Sequence, residues 1–162
     1  MRRPAALLAL ALLAVSCYGT DSNLTDSGEG KPLVSIEFPP SVDPKAREVA
    51  TLEVENPGPG DIDALLVTFA VLGASDIPDA LVGFGSNGEN PSIVDVEPDP
   101  VAVSEDGVVY RFGGLEEGES TSIAFTIRTP ALTGRYANSV TASDGSDLER
   151  AKGVPLETRV EG

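Results

Sequence analysis

The sequence predicts an all-β fold, a sandwich of about seven to nine antiparallel strands, and three observations predict it. Apolar and polar residues alternate with a period of two in one short run after another. Turn formers punctuate those runs, with 17 Gly and 13 Pro in 162 residues. Beyond the amino-terminal leader no stretch repeats its apolar residues every three to four positions, so no strong amphipathic helix competes with the strands.

The clearest stretch is 115–142, where Gly118 marks a turn, Ile123, Phe125 and Ile127 alternate with polar neighbours, and Tyr136 opens a second alternating run. In chain order, Val34, Ile36 and Phe38 form a first strand that stops at Pro39-Pro40. Ala50, Leu52 and Val54 form a second, which ends at Asn56-Pro57-Gly58-Pro59-Gly60 because no ladder continues through such a run. Leu65, Val67, Phe69 and Val71 form a third, whose other face is also mostly apolar through Leu66, Ala70 and Leu72. An irregular stretch follows over 73–106, with short edge strands expected around Leu81–Phe84 and Ser92–Val96. Val108, Tyr110 and Phe112 then give a strand, Ile123 to Ile127 another, Tyr136 to Ala142 another, and Val154 to Val160 the last. Leu52, Val67, Phe69, Phe125 and Val140 are the expected centre.

The amino terminus speaks of export. Arg2 and Arg3 precede an unbroken apolar run, Ala5 to Val15, too short to cross roughly 30 Å of hydrocarbon, which takes about 20 helical residues. Ala14-Val15-Ser16-Cys17 resembles the lipobox of bacterial lipoproteins, which implies acylation of Cys17 as the first mature residue. Cys17 is the only cysteine, so no disulfide forms within the chain, and acylation gives an otherwise odd exported thiol its reason. Two or three acyl chains hold a protein where one holds it marginally. The domain plan is a signal peptide over 1–16, a lipidated Cys and flexible linker over 17–32, and one folded domain over 33–162. The linker reaches on the order of 20 Å. Losing Arg2 and Arg3 with the leader lowers the basic count from 11 to 9 against 26 acids, a net charge of −17. Such a field repels nucleic acid and anionic headgroups, while a hydrophobic content of 41% is too high for a disordered acidic chain.

Four segments carry a second resemblance: Asn56-Pro57-Gly58-Pro59, Ile77-Pro78-Asp79-Ala80-Leu81-Val82-Gly83-Phe84, the run from Tyr110 to Ser120, and Ala137-Asn138-Ser139-Val140-Thr141-Ala142. Over roughly 45–143 the chain resembles the domain-of-unknown-function-eleven family, immunoglobulin-like repeats of bacterial and archaeal surface proteins. That resemblance implies an immunoglobulin-like sandwich and is nearly silent on function. The family usually occurs as tandem repeats, whereas one copy follows the tether here. Tyr136 after Gly134-Arg135 is either a tyrosine corner, its hydroxyl tied to backbone upstream, or a plain half-buried Tyr.

With strands in this order, the loops that follow the Ala50–Val54, Val108–Phe112 and Tyr136–Ala142 strands gather at one end, where the tether also enters. They carry eight carboxylates: Asp61, Asp63, Glu116, Glu117, Glu119, Asp144, Asp147 and Glu149. Oxygen ligands from several loops suit Ca2+. Solvated acidic turns are the plainer reading and the favoured one, since Asp144-Gly145-Ser146-Asp147 lacks the spacing of an EF-hand. At the other end Leu81, Val82 and Phe84 are candidates for a partner patch, against the preferred alternative that this segment folds over its own sheet. Asp95, Glu97 and Asp99 read as a solvated loop.

Catalysis is not expected. The chain has no His, no Cys besides Cys17, no Trp, three Tyr and no Gly-x-Ser-x-Gly. The functional expectation is a lipid-anchored envelope protein presenting a non-catalytic interaction, adhesion or structural module; the alternative is a calcium-dependent or polysaccharide-binding surface module. No cofactor is expected beyond the acyl chains. Expected partners are the membrane, on its exported side at the cell or outer membrane, and an envelope protein or polysaccharide, with no nucleic acid and no small-molecule substrate.

Overall fold

Period-two burial runs through the computed structural model, which describes residues 31–72, 79–83 and 92–162. The leader, Cys17, most of the tether and Phe84 lie outside the described residues. Ten strands are present: β1 (Leu33–Glu37), β2 (Ser41–Val42), β3 (Arg47–Glu55), β4 (Leu65–Ala70), β5 (Ile93–Asp95), β6 (Ala102–Ser104), β7 (Gly107–Arg111), β8 (Ser120–Arg128), β9 (Gly134–Asp144) and β10 (Ala151–Val160). They form a four-stranded sheet in the order β1-β3-β8-β5 and a six-stranded sheet in the order β2-β10-β9-β4-β7-β6. All pairings are antiparallel except β2 with β10. No helix occurs among the described residues.

Alternation turns one face of each sheet inward. Ala50, Leu52 and Val54 of β3 and Ile123, Phe125 and Ile127 of β8 meet Val67 and Phe69 of β4, Val140 of β9 and Leu156 of β10 in one apolar core. At its centre the Phe125 ring crosses between the sheets to meet Phe69 edge-on at 4.9 Å and Tyr110 at 5.5 Å. Such contacts contribute about 0.5–1.5 kcal/mol each beyond the burial itself.

The expected strands are present, with three corrections. β2 and β6 were not anticipated: β2 is two residues hemmed by Pro39-Pro40 and Pro44, and β6 is three residues all on the exposed side, so neither shows an alternation to read. Leu81 to Gly83 are bends, not an edge strand, and only Asp79 bridges β9. Their backbone is held by a side chain instead of a ladder: Asn138 accepts from the Val82 N–H at 2.7 Å and donates to the Val82 carbonyl at 2.7 Å.

Two positions show why the chain turns where it does. A Cβ on Gly107 would fall 2.2 Å from the Phe69 carbonyl oxygen, and its φ of 151° is one that side-chain-bearing residues rarely adopt. On β10, Arg159 N–H points away from β9 to the Pro40 carbonyl, 3.0 Å away, so Gly153, Pro155 and Glu157 present their nitrogens to that same side. No described strand pairs there before Arg159. Pro155 removes a donor from the middle of this open edge, which blunts it as a template for another chain.

Candidate functional site

The strand directions bring the β3–β4, β7–β8 and β9–β10 loops to the end where β1 begins, since Leu33 pairs with Glu55, Glu55 with Ser120, and Leu65 with Asp144. Asn56 ties two of these loops together. It is fully buried; its Nδ2 donates to Gly60 O at 2.9 Å and Leu115 O at 3.0 Å, and its Oδ1 accepts from Gly58 N–H at 3.1 Å. Its own N–H donates to Glu119 O and its carbonyl accepts from Gly118 N–H, at 2.8 and 2.7 Å. Gly58 permits that closeness, for a Cβ there would lie 2.7 Å from the Glu117 side chain. The Asn-Pro-Gly-Pro segment is therefore a clasp.

The candidate metal ligands arrive at this end and turn onto backbone N–H groups, Asp61 and Glu117 across two loops and Glu119, Asp144 and Asp147 within their own. Asp61 Oδ1 accepts from Glu117 N–H at 3.0 Å, Glu117 Oε2 from Gly60 N–H at 3.1 Å and Glu119 Oε2 from Glu116 N–H at 2.9 Å. In the third loop Asp147 Oδ1 accepts from Glu149 N–H at 3.0 Å. Asp144 is buried; its Oδ1 accepts from the Ser146 N–H and hydroxyl at 2.9 and 2.7 Å, and its Oδ2 meets Arg150 Nη1 at 3.1 Å. Arg150 Nη1 also donates to Asp61 O at 3.1 Å, binding the third loop to the first. Asp63, Glu116 and Glu149 are exposed. Among the described residues no three carboxylates converge in a group that could hold a metal ion. What the arrangement does is brace turns with charge-assisted bonds.

At the opposite end, Leu81 and Val82 are fully buried in the core, so neither offers surface to a partner. Leu66 and Leu72, which this segment was expected to cover, are only half-buried; it fills the end of the sandwich instead. Asn138, also fully buried, reaches from Val82 to the Ala70 carbonyl at 3.1 Å. Tyr136 donates its hydroxyl to Leu132 O at 2.9 Å, the bond of a tyrosine corner. Burial first, and the Asp79 charge second, hold that phenol above its ordinary range. Tyr110 is pushed up to about 12 by burial, with Asp99 adding to it. Asp95, Glu97 and Asp99 themselves are exposed.

This end also gathers arginines that the sequence reading passed over. Arg47 stands directly opposite Arg128 across β3 and β8, and Arg135 directly opposite Arg159 across β9 and β10. Lys45 joins them, its N–H donating to Pro130 O at 3.2 Å. The signal was register: extending the β9–β10 hairpin outward from its 145–150 loop sets 135 against 159.

No protein-family model matches the chain, and no curated protein sequence does. Solved structures are similar in fold at low identity. The Pseudomonas fluorescens alkylpurine DNA glycosylase AlkC, bound to DNA containing an abasic site analog, is 16% identical, with a TM-score of 0.43 over 83% of this chain and 31% of that one. AvmM, which catalyses macrocyclization in alchivemycin A biosynthesis, is 12% identical, with a TM-score of 0.48 over 83% of this chain and 91% of that one. A β-glucosidase from Listeria innocua in complex with gluconolactone is 12% identical, with a TM-score of 0.41 over 82% of this chain and 16% of that one. This chain thus spans under a third of the glycosylase and about a sixth of the glucosidase. The expectations of a non-catalytic adhesion or structural module and of no enzymatic role are corrected here, since these similar structures are of enzymes. The likeness is one of fold and brings no activity to this chain.

Proposed function

We propose that the chain is an exported lipoprotein, in which acyl chains on Cys17 moor an immunoglobulin-like domain to a membrane. The observation that carries this reading is the Ala14-Val15-Ser16-Cys17 junction, which closes the apolar run Ala5 to Val15, in a chain with no other cysteine. The tether then enters at Leu33, on the end that gathers the eight carboxylates. Facing an anionic bilayer, those carboxylates hold the domain off the surface within about a Debye length of roughly 8 Å. The end with Arg47, Arg128, Arg135 and Arg159 then points outward and is the working end. No helix among the described residues is long and apolar enough to cross a membrane.

Three features support the immunoglobulin-like reading. The chain leaves the four-stranded sheet after β1 and joins the six-stranded one as β2; β2 pairs parallel with the last strand; and Tyr136 reaches back to Leu132. Labelling cells with radioactive palmitate tests the reading. Label is expected in the chain and lost in Cys17→Ser, with the variant shed into the aqueous phase. Equal partitioning of the two would refute it.

A further inference from the structure

The facing arginines of β9 and β10 carry an inference that does not depend on how the chain is anchored. Ser41, Arg159 and Arg135 lie side by side across β2, β10 and β9. All three are exposed on the outward face of the six-stranded sheet. Directly opposed residues bring their Cβ atoms within about 4.5–5.5 Å, and like charges so placed repel. Only one of the two guanidinium groups has an internal counter-charge: Arg159 Nη1 meets Glu161 Oε1 at 3.4 Å, while Glu161 Oε2 is taken by the Ser41 hydroxyl at 3.0 Å. Arg135 makes no ion pair among the described residues.

Beside this row lies a groove of about 350 Å³ lined in part by Pro40, Ser41, Arg135, Glu157, Arg159 and Glu161. A second hollow of about 470 Å³ shares Arg135, Arg159 and Glu161. Two planar forks carried on directly opposed residues match an oxyanion that accepts from both, which turns their repulsion into attraction. Glu157 and Glu161 keep the local charge near balance and the whole chain carries −15, which disfavours a long polyanion and leaves a compact group.

We propose that Arg135 and Arg159 together bind a phosphate-class oxyanion in this groove, towards which the Ser41 hydroxyl turns its one proton from Glu161 Oε2. The group belongs either to a soluble phosphorylated compound or to a lipid headgroup.

The test is calorimetry on the full detergent-solubilised protein with inorganic pyrophosphate, and separately with dihexanoyl phosphatidylglycerol below its micelle concentration. Saturable binding of one pyrophosphate is expected. It should weaken at least about tenfold in Arg135→Ala and tighten in Glu161→Gln, which removes the negative charge competing for Arg159. Arg128→Ala, an exposed member of the other opposed pair, is the control and should stay within about twofold. Pyrophosphate that displaces the headgroup lipid supports a lipid source, and pyrophosphate binding without lipid binding supports a soluble one. Absence of binding to either probe, or equal loss in the Arg135 and Arg128 variants, overturns the proposal.

Discussion

Asn56→Ala probes the clasp that holds the carboxylate end together. The substitution removes three side-chain hydrogen bonds, to Gly60 O, Leu115 O and from Gly58 N–H. Gly58 N–H loses its partner in a buried setting, and a buried group left unsatisfied costs roughly 1–3 kcal/mol. Leu115 O keeps the Ile62 N–H at 2.9 Å, and Gly60 O is partly buried, so each of those losses lies nearer about 0.5–1 kcal/mol. Together they predict a destabilisation of about 2–5 kcal/mol. For a domain of this size that lowers the melting temperature by on the order of 10 °C. Urea denaturation followed by circular dichroism measures it: the midpoint should fall with the slope unchanged. Asn56→Asp should cost at least as much, because it replaces the two Nδ2 donors with acceptors facing carbonyl oxygens. A loss below about 0.5 kcal/mol in Asn56→Ala would refute the reasoning and show that Pro57 and Pro59 hold the loop without the clasp.

Two further predictions concern the core and the opposite end. Asn138→Ala strips both backbone partners from Val82 and should destabilise by about 2–4 kcal/mol. It should also open the chain around 79–83 to protease and expose Leu81 and Val82 to a hydrophobic dye; a variant as resistant as the parent would contradict the clamp. Tyr110 holds its proton up to about pH 12 when folded, against 10 for the free side chain. Because the folded value is the higher one, its contribution is complete below pH 10 and lost as the pH rises from 10 through about 12. Tyr110→Phe keeps the ring among Phe69 and Phe125 and should lose less stability than the parent between pH 9 and 11; parallel losses would count against a buried phenol.

The core and the two-sheet plan were legible because burial in a half-covered strand follows the alternation. Leu52, Val67, Phe69, Phe125 and Val140 are all fully buried, and each sits in a run whose neighbours point the other way. The short edge strands were not legible, since two or three residues such as Ser41–Val42 carry no period. Asn138 reads as one more strand residue; its grip on Val82 comes from a chain segment 56 positions away. The carboxylate loops could be placed at one end from strand direction alone. That Asp61, Glu117, Glu119 and Asp147 turn onto backbone N–H groups depends on loop conformations that composition does not encode. The opposed arginines needed pairing register, which only the hairpin supplies.

Mass spectrometry of the mature protein's first peptide tests membrane anchoring most directly. The account predicts a chain beginning at Cys17 and heavier than its sequence by two or three acyl chains. An unmodified peptide with a free thiol, starting at any other residue, would contradict it.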